Sequence, residues 1–157
     1  MNRRRSSTRR SINTGAKVGA YLAGTSSTLI EEAGRYGLNM GIAFQMVDDI
    51  LDVTGHPDLL GKPIGIDLRD GNPSLPIILA VNAGESAVCE AFEEPEPSEQ
   101  QIAGALTAIK SSAVIADAKQ LAKQYASDAL RSIKKLPPSL YRNGLKTLVQ
   151  LIVDRDF

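Results

Sequence analysis

The chain has 157 residues, 43% of them apolar and 23% charged, with 18 Lys+Arg balancing 18 Asp+Glu. Those proportions support a buried core in one domain or a piece of a larger one, and they exclude global disorder and a general nucleic-acid binder. A single cysteine (Cys89) and a single histidine (His56) exclude an internal disulfide, a Cys-based zinc site and a His–His metal pair, and no apolar run approaches the ~20 residues of a membrane span.

In chain order, the first segment is the most basic. Residues 1–30 carry six basic side chains (Arg3, Arg4, Arg5, Arg9, Arg10, Lys17) and no acid. Residues 1–11, Arg- and Ser-rich with almost no apolar side chains, read as a disordered basic leader, and 12–157 as the folded part. From Ile12 the pattern is helical. Residues 12–24 and 28–53 carry apolar side chains at spacings of three and four, broken only by small residues. Gly and Pro then crowd residues 54–72, which read as a loop. Asn72-Pro73-Ser74-Leu75-Pro76 opens the next helix, since proline is tolerated in a first helical turn, and that helix runs to about Asn82.

Residues 85–99 hold six glutamates, two prolines and no Lys or Arg, and read as a helix end followed by a surface linker. Ser98-Glu99-Gln100-Gln101 has the spacing of a capping box at the start of a short helix to Lys110. A long helix follows over Ser112–Leu136, with Ala113, Ala116, Leu121, Tyr125, Ala129 and Ile133 as its stripe. Pro137-Pro138-Ser139 ends it and starts a last helix with Leu145, Leu148, Val149 and Ile152 facing inward. No strand pattern occurs, so the expected class is all-α. The same composition suits a soluble, cytoplasmic chain without stable membrane insertion.

One segment carries chemistry: Gln45-Met46-Val47-Asp48-Asp49-Ile50-Leu51-Asp52. On a helical wheel, Gln45, Asp48, Asp49 and Asp52 share a sector about 100° wide, opposite Met40, Ala43, Phe44, Val47, Ile50 and Leu51. An ordinary solvated acidic face is the simplest explanation. Three features weigh against it. Aspartate is a poor helix former beside glutamate. No Lys or Arg lies three or four residues away to compensate the charge. The position near a helix C-terminus is unfavourable for anions as well. An outside cation resolves all three, and short carboxylates one turn apart suit Mg²⁺, which takes one or two protein carboxylates plus phosphate oxygens. The following Gly61-Lys62-Pro63-Ile64-Gly65-Ile66-Asp67 offers a matching charge: Lys62 as a point charge toward a diphosphate, with Asp67 to orient it or a metal-bound water.

These residues resemble a known family. Phe44-Gln45-x-x-Asp48-Asp49-Ile50-Leu51-Asp52 is similar to the second aspartate-rich motif of the trans-polyprenyl diphosphate synthases, and Gly61-Lys62-Pro63-x-Gly65-x-Asp67-Leu68-Arg69-x-Gly71-x-x-x-Leu75-Pro76 to the lysine loop and helix start that follow it. The resemblance runs from about Tyr21 to Phe157, and the Arg-rich opening resembles nothing in the family. It implies part of the isoprenoid-synthase helical bundle and a prenyltransferase of isoprenoid biosynthesis. That enzyme uses Mg²⁺ to ionise an allylic diphosphate and joins it to isopentenyl diphosphate. By the resemblance, Asp48 is a direct metal ligand, Asp49 and Asp52 support it or hold metal-bound waters, and Gln45 and Lys62 contact the diphosphate.

The departures are as informative. The sequence holds one Asp-Asp-x-x-Asp, and the family's first aspartate motif has no counterpart in it. The chain therefore reads as the C-terminal half of a synthase. Two functional readings stand beside each other. One is a prenyltransferase acting as a homodimer or with a full-length synthase. The other is an inactive fragment or non-catalytic partner subunit. A cyclase-like or unrelated acidic helical protein fits less well because of the lysine loop. His56 reads as an exposed turn residue, Cys89 as unreactive for want of a nearby base, and Tyr125 as core.

Overall fold

Helix-favouring runs separated by Gly, Pro and Ser fold into eight α-helices among the described residues, 3–56 and 63–154 of a computed structural model. They are α1 (Arg3–Leu22), α2 (Ser27–Thr54), α3 (Ile66–Arg69), α4 (Leu75–Asn82), α5 (Ser86–Glu93), α6 (Glu99–Ser111), α7 (Val114–Ile133) and α8 (Leu140–Val153). No strand occurs among the described residues, as the all-α expectation requires. No helix among them is long and apolar enough to cross a membrane. The chain divides into two compact units, one of residues 46–120 and one of the residues up to 45 together with those from 121 onward.

The 46–120 unit is built on a core of Val53, Leu68, Ile77, Val88, Ile102, Leu106 and Ile109 with small alanines between them. Two punctuation signals work as the sequence implies. Pro76 sits in the first turn of α4. At α6 the Ser98 hydroxyl accepts the Gln101 amide at 3.3 Å while Gln101 Oε1 accepts the Ser98 amide at 2.9 Å. Two features differ from expectation. The acidic stretch read as a linker contains a helix of its own, α5, because Val88 and Ala91 lie one turn apart and are both buried. The stretch read wholly as a loop contains α3, whose start is set by Gly65 at φ 72°.

In the second unit, α1 begins at Arg3, so the expected disordered leader is helical through residues 3–11. The reason lies on α2. A Cβ at Gly37 would stand 2.6 Å from the Ile12 carbonyl oxygen, and one at Gly41 would stand 3.1 Å from the Arg9 Cα. Glycines on α2 thus let the α1 backbone itself make the contact, so α1 does not need large apolar side chains there. Asn13 Nδ2 donates to the Gly34 carbonyl at 2.7 Å, fixing the crossing. The core of this unit gathers Tyr36, Ala43, Ala126, Ala129, Ile133 and Val149. The Tyr36 hydroxyl donates to the Leu145 carbonyl at 3.0 Å, and burial pushes its pKa up to about 12. Glu32 is buried as well, accepting Lys135 Nζ at 2.7 Å and Arg35 Nη1 at 2.9 Å. The hydrogen bond from Lys135 is the main cause holding its carboxyl below the usual range.

Two expected stripes shift. On α7 the buried apolar positions are Val114, Ala118, Ala122, Ala126, Ala129 and Ile133, while Ala116 and, just before the helix, Ala113 are exposed and Tyr125 is half-buried against the core. Irregular spacings of three to five fit two adjacent faces, and the alanine-lined one is covered. On α8, Val149 is buried with Leu145 and Val153 packed near it, but Leu148 is exposed. His56 is exposed, as expected.

Candidate functional site

The last turns of α2 place the three aspartates. Val47 and Ile50 are fully buried and Leu51 nearly so, which fixes the rotation of the helix and directs Asp48, Asp49 and Asp52 to the other side, as the wheel implies. That side is not an ordinary solvated acidic face. Asp49 and Asp52 are each only 5% exposed, and Asp48 is half-buried.

Backbone amides from the segment that follows cover them. Asp52 Oδ1 accepts the Ile66 amide at 3.3 Å and Oδ2 accepts the Asp67 amide at 3.1 Å. The carbonyl of Asp52 accepts the Gly65 amide at 2.7 Å. Three consecutive amides at the start of α3 therefore converge on one residue. The left-handed Gly65 makes this turn, and space is tight as well, because a Cβ there would stand 3.0 Å from Leu106 Cδ1, which would have to shift. Asp49 Oδ2 accepts the Leu75 amide, the first of α4, at 3.0 Å. Ser74, the residue before it, makes no side-chain cap, and its hydroxyl is fully buried without a hydrogen-bond partner among the described residues. Asp49 thus supplies to α4, from another helix, an acceptor for one of the amides that a helix start leaves without an intrahelical partner.

This arrangement gives two members of the expected metal-facing set partners within the chain. The charge of Asp49 and Asp52, assigned from the sequence to an outside cation, meets amide donors at helix N-termini, where carboxylates are favoured. Among the described residues no three acidic, histidine or cysteine side chains gather as a metal-holding group. Asp48 is the exception: its half-buried carboxylate is engaged by no hydrogen bond or ion pair among the described residues. Gln45 is half-buried one turn before it on α2, and Asp67 is buried with its carbonyl accepting the Asn72 amide at 2.7 Å. Lys62, expected to face a diphosphate, lies outside the described residues. Sequence reasoning missed the Leu75 amide, Ser74 and the structural weight of Gly65; the one available signal was a glycine flanked by isoleucines two residues before an aspartate.

Known proteins are similar to this chain in both fold and sequence. The family model described as polyprenyl synthetase matches residues 1–109, so the match takes in the Arg-rich opening that seemed foreign to the family. Solanesyl-diphosphate synthase 2, chloroplastic, of Oryza sativa subsp. japonica is 34% identical over 144 residues, 92% of this chain and 36% of that protein. Heptaprenyl diphosphate synthase component 2 of Geobacillus stearothermophilus is 33% identical over 146 residues, 93% of this chain and 46% of that one. The crystal structure of polyprenyl synthase from Caulobacter crescentus CB15, complexed with calcium and isoprenyl diphosphate, matches with a TM-score of 0.83 at 32% identity, over 92% of this chain and 45% of that one. The chain therefore spans less than half the length of each of these relatives. With its helical fold shared and its sequence matched over residues 1–109, the chain belongs to the polyprenyl synthetase family.

Proposed function

We propose that this chain carries the metal- and diphosphate-binding side of a polyprenyl diphosphate synthase, with Asp48 as its metal-binding carboxylate. The observation that carries the reading is the half-buried Asp48, unengaged among the described residues, in a frame whose other two aspartates are tied to backbone amides. The donor set fits Mg²⁺. One hard carboxylate oxygen donor, completed by diphosphate oxygens and water, is the coordination this ion commonly takes. When bound, Mg²⁺ supplies charge neutralisation for a departing diphosphate.

The residues of the chain then divide the work. Asp48 holds the ion. Gln45, one turn earlier, and Lys62 contact the diphosphate, and Asp67 orients groups around it. Asp49 and Asp52 keep the surrounding backbone in place. The reaction is that of the family resemblance: the allylic C–O bond breaks, the isopentenyl double bond attacks the allylic carbon, and a proton is lost.

The test uses the purified chain and a bisphosphonate with Mg²⁺. The pair should raise the melting temperature, and Asp48→Ala should abolish that rise; an equal rise in both proteins overturns the assignment.

A second reading concerns the chain acting by itself. Its sequence holds one Asp-Asp-x-x-Asp, and one relative is named as a component of a heptaprenyl diphosphate synthase. We propose that the chain alone gives no turnover and works in association with a full-length synthase or a second copy. Robust product from allylic and isopentenyl diphosphates with the purified chain overturns this.

A further inference from the structure

Asp52 is used three times by one short stretch of backbone. Its carbonyl takes the Gly65 amide, Oδ1 the Ile66 amide and Oδ2 the Asp67 amide, at 2.7, 3.3 and 3.1 Å. Left-handed Gly65 followed by helical residues is the geometry in which successive amides form an anion-binding concavity. Here the concavity is filled from within the chain. The carboxylate inside it is 5% exposed, so an incoming anion would have to displace Asp52 to use those amides.

We propose that Asp52 is a positioning residue and not a metal ligand: it fastens residues 65–67 to the end of α2 and so fixes where Asp67 stands. The contact joins the last turn of α2 to the first turn of α3. The Leu68 side chain, fully buried one residue past the contact, anchors the far side of the fastening in the core. Asp67 then has its amide held by Asp52 and its carbonyl held by the Asn72 amide at 2.7 Å, which leaves its backbone little freedom. The acidic motif thereby contains two kinds of aspartate. Asp48 faces the ligand, and Asp52 faces its own chain.

This inference deepens the functional reading above and rests on it for the diphosphate arm alone. The experiment compares Asp52→Asn, Asp52→Glu and Asp48→Asn in the 157-residue chain. Amide hydrogen exchange at Ile66 and Asp67 is followed without metal, with the Ile102 and Ile109 amides as a check on global opening. Inorganic diphosphate binding with Mg²⁺ is measured on the same proteins by calorimetry.

In Asp52→Asn, exchange at 66 and 67 should rise at least about tenfold while 102 and 109 stay protected, because the amide group of Asn opposes one backbone N–H. Asp52→Glu, which keeps the charge but lengthens the arm, should loosen the same two amides less. Diphosphate affinity should weaken in Asp52→Asn by about tenfold without vanishing. Asp48→Asn should show the reverse pattern, with protected amides and no Mg²⁺-dependent binding. Unchanged exchange at 66 and 67 in both Asp52 variants overturns the proposal, as does complete loss of Mg²⁺-dependent binding in an Asp52 variant whose amides stay protected. Absence of binding in the unmutated chain overturns the proposed function instead, and the exchange arm still decides the fastening.

Discussion

The Asp49 carboxylate and the Leu75 amide meet across 3.0 Å, joining the acidic end of α2 to the first turn of α4. A charged acceptor paired with a helix-start donor is worth about 1.5–3 kcal/mol, more than a neutral hydrogen bond, and it satisfies an amide that helix geometry leaves without a partner.

Removing that acceptor should destabilise the fold. Asp49→Ala is expected to lower unfolding free energy by about 1.5–3 kcal/mol in urea titration, and Asp49→Asn by less, since one neutral oxygen remains. Asp48→Ala should change stability by no more than about 0.5 kcal/mol, as a substitution at a group unengaged among the described residues. A larger loss for Asp48→Ala than for Asp49→Ala would show that the two roles are reversed.

Gly65 and Gly71 provide a paired test of strain against space. Both have left-handed φ, 72° and 61°, but only Gly65 has neighbours where a Cβ would go, Leu106 at 3.0 Å and Ile102 at 3.2 Å. Gly71→Ala should cost the backbone term alone, about 1–2 kcal/mol. Gly65→Ala adds displacement of core side chains and should cost about 1–3 kcal/mol more. Equal thermal shifts would mean that the core around Leu106 yields freely.

On α2, Gly37→Ala forces a carbon to within 2.6 Å of a backbone oxygen of α1, which cannot rotate away. It should be the most damaging of the glycine substitutions. Gly104→Ala on α6 meets nothing within 4 Å and should instead stabilise, by up to about 1 kcal/mol, through helix propensity. Melting temperatures of the two variants check the contrast directly.

Much of this architecture is legible in the amino-acid sequence. Pro76, the Ser98–Gln101 box and Ser139, whose hydroxyl accepts the Arg142 amide at 3.1 Å, mark helix starts because their chemistry is local. The buried rotation of Val47, Ile50 and Leu51 follows from spacing alone. What is illegible comes from distant partners. Neighbours three or four residues away show no compensation for Asp49 and Asp52, yet the amides that hold them lie 26 and 14–15 residues onward. Helical residues around Arg9 and Ile12 look unsupported because part of their support is backbone contact over glycines of α2, which no pattern within α1 records. The α7 stripe is misread for a related reason: alanines at two registers look alike until a neighbour covers one of them.

Glu32 gives a pH prediction. Its carboxyl is held below its ordinary value of 4.5, chiefly by the hydrogen bond from Lys135 and further by the charges of Lys135 and Arg35. A depressed acid stabilises the folded state above that value, and this contribution disappears as pH falls through the lower, folded value. Glu32→Gln should therefore flatten the stability–pH curve below about pH 4.5 and leave its shape near neutrality unchanged. Parallel curves for both proteins in acid would remove the assignment.

Tyr36 acts at the other end of the scale. With its pKa raised by burial from 10.0 to about 12, it should stay neutral in the folded chain where exposed phenols ionise. Its contribution to stability is complete below pH 10 and is lost as pH climbs toward 12. A phenolate absorbance titration should show a late step that Tyr36→Phe deletes.

The contrast between the aspartates bears on how this motif can be inherited. If Asp48 holds the metal as proposed, a descendant without that function would be free to replace it, yet losing Asp49 or Asp52 would still unfasten a helix start. On the proposed division of roles, two acids of the signature can outlive the chemistry, and in a sequence survey the first aspartate is the one to inspect.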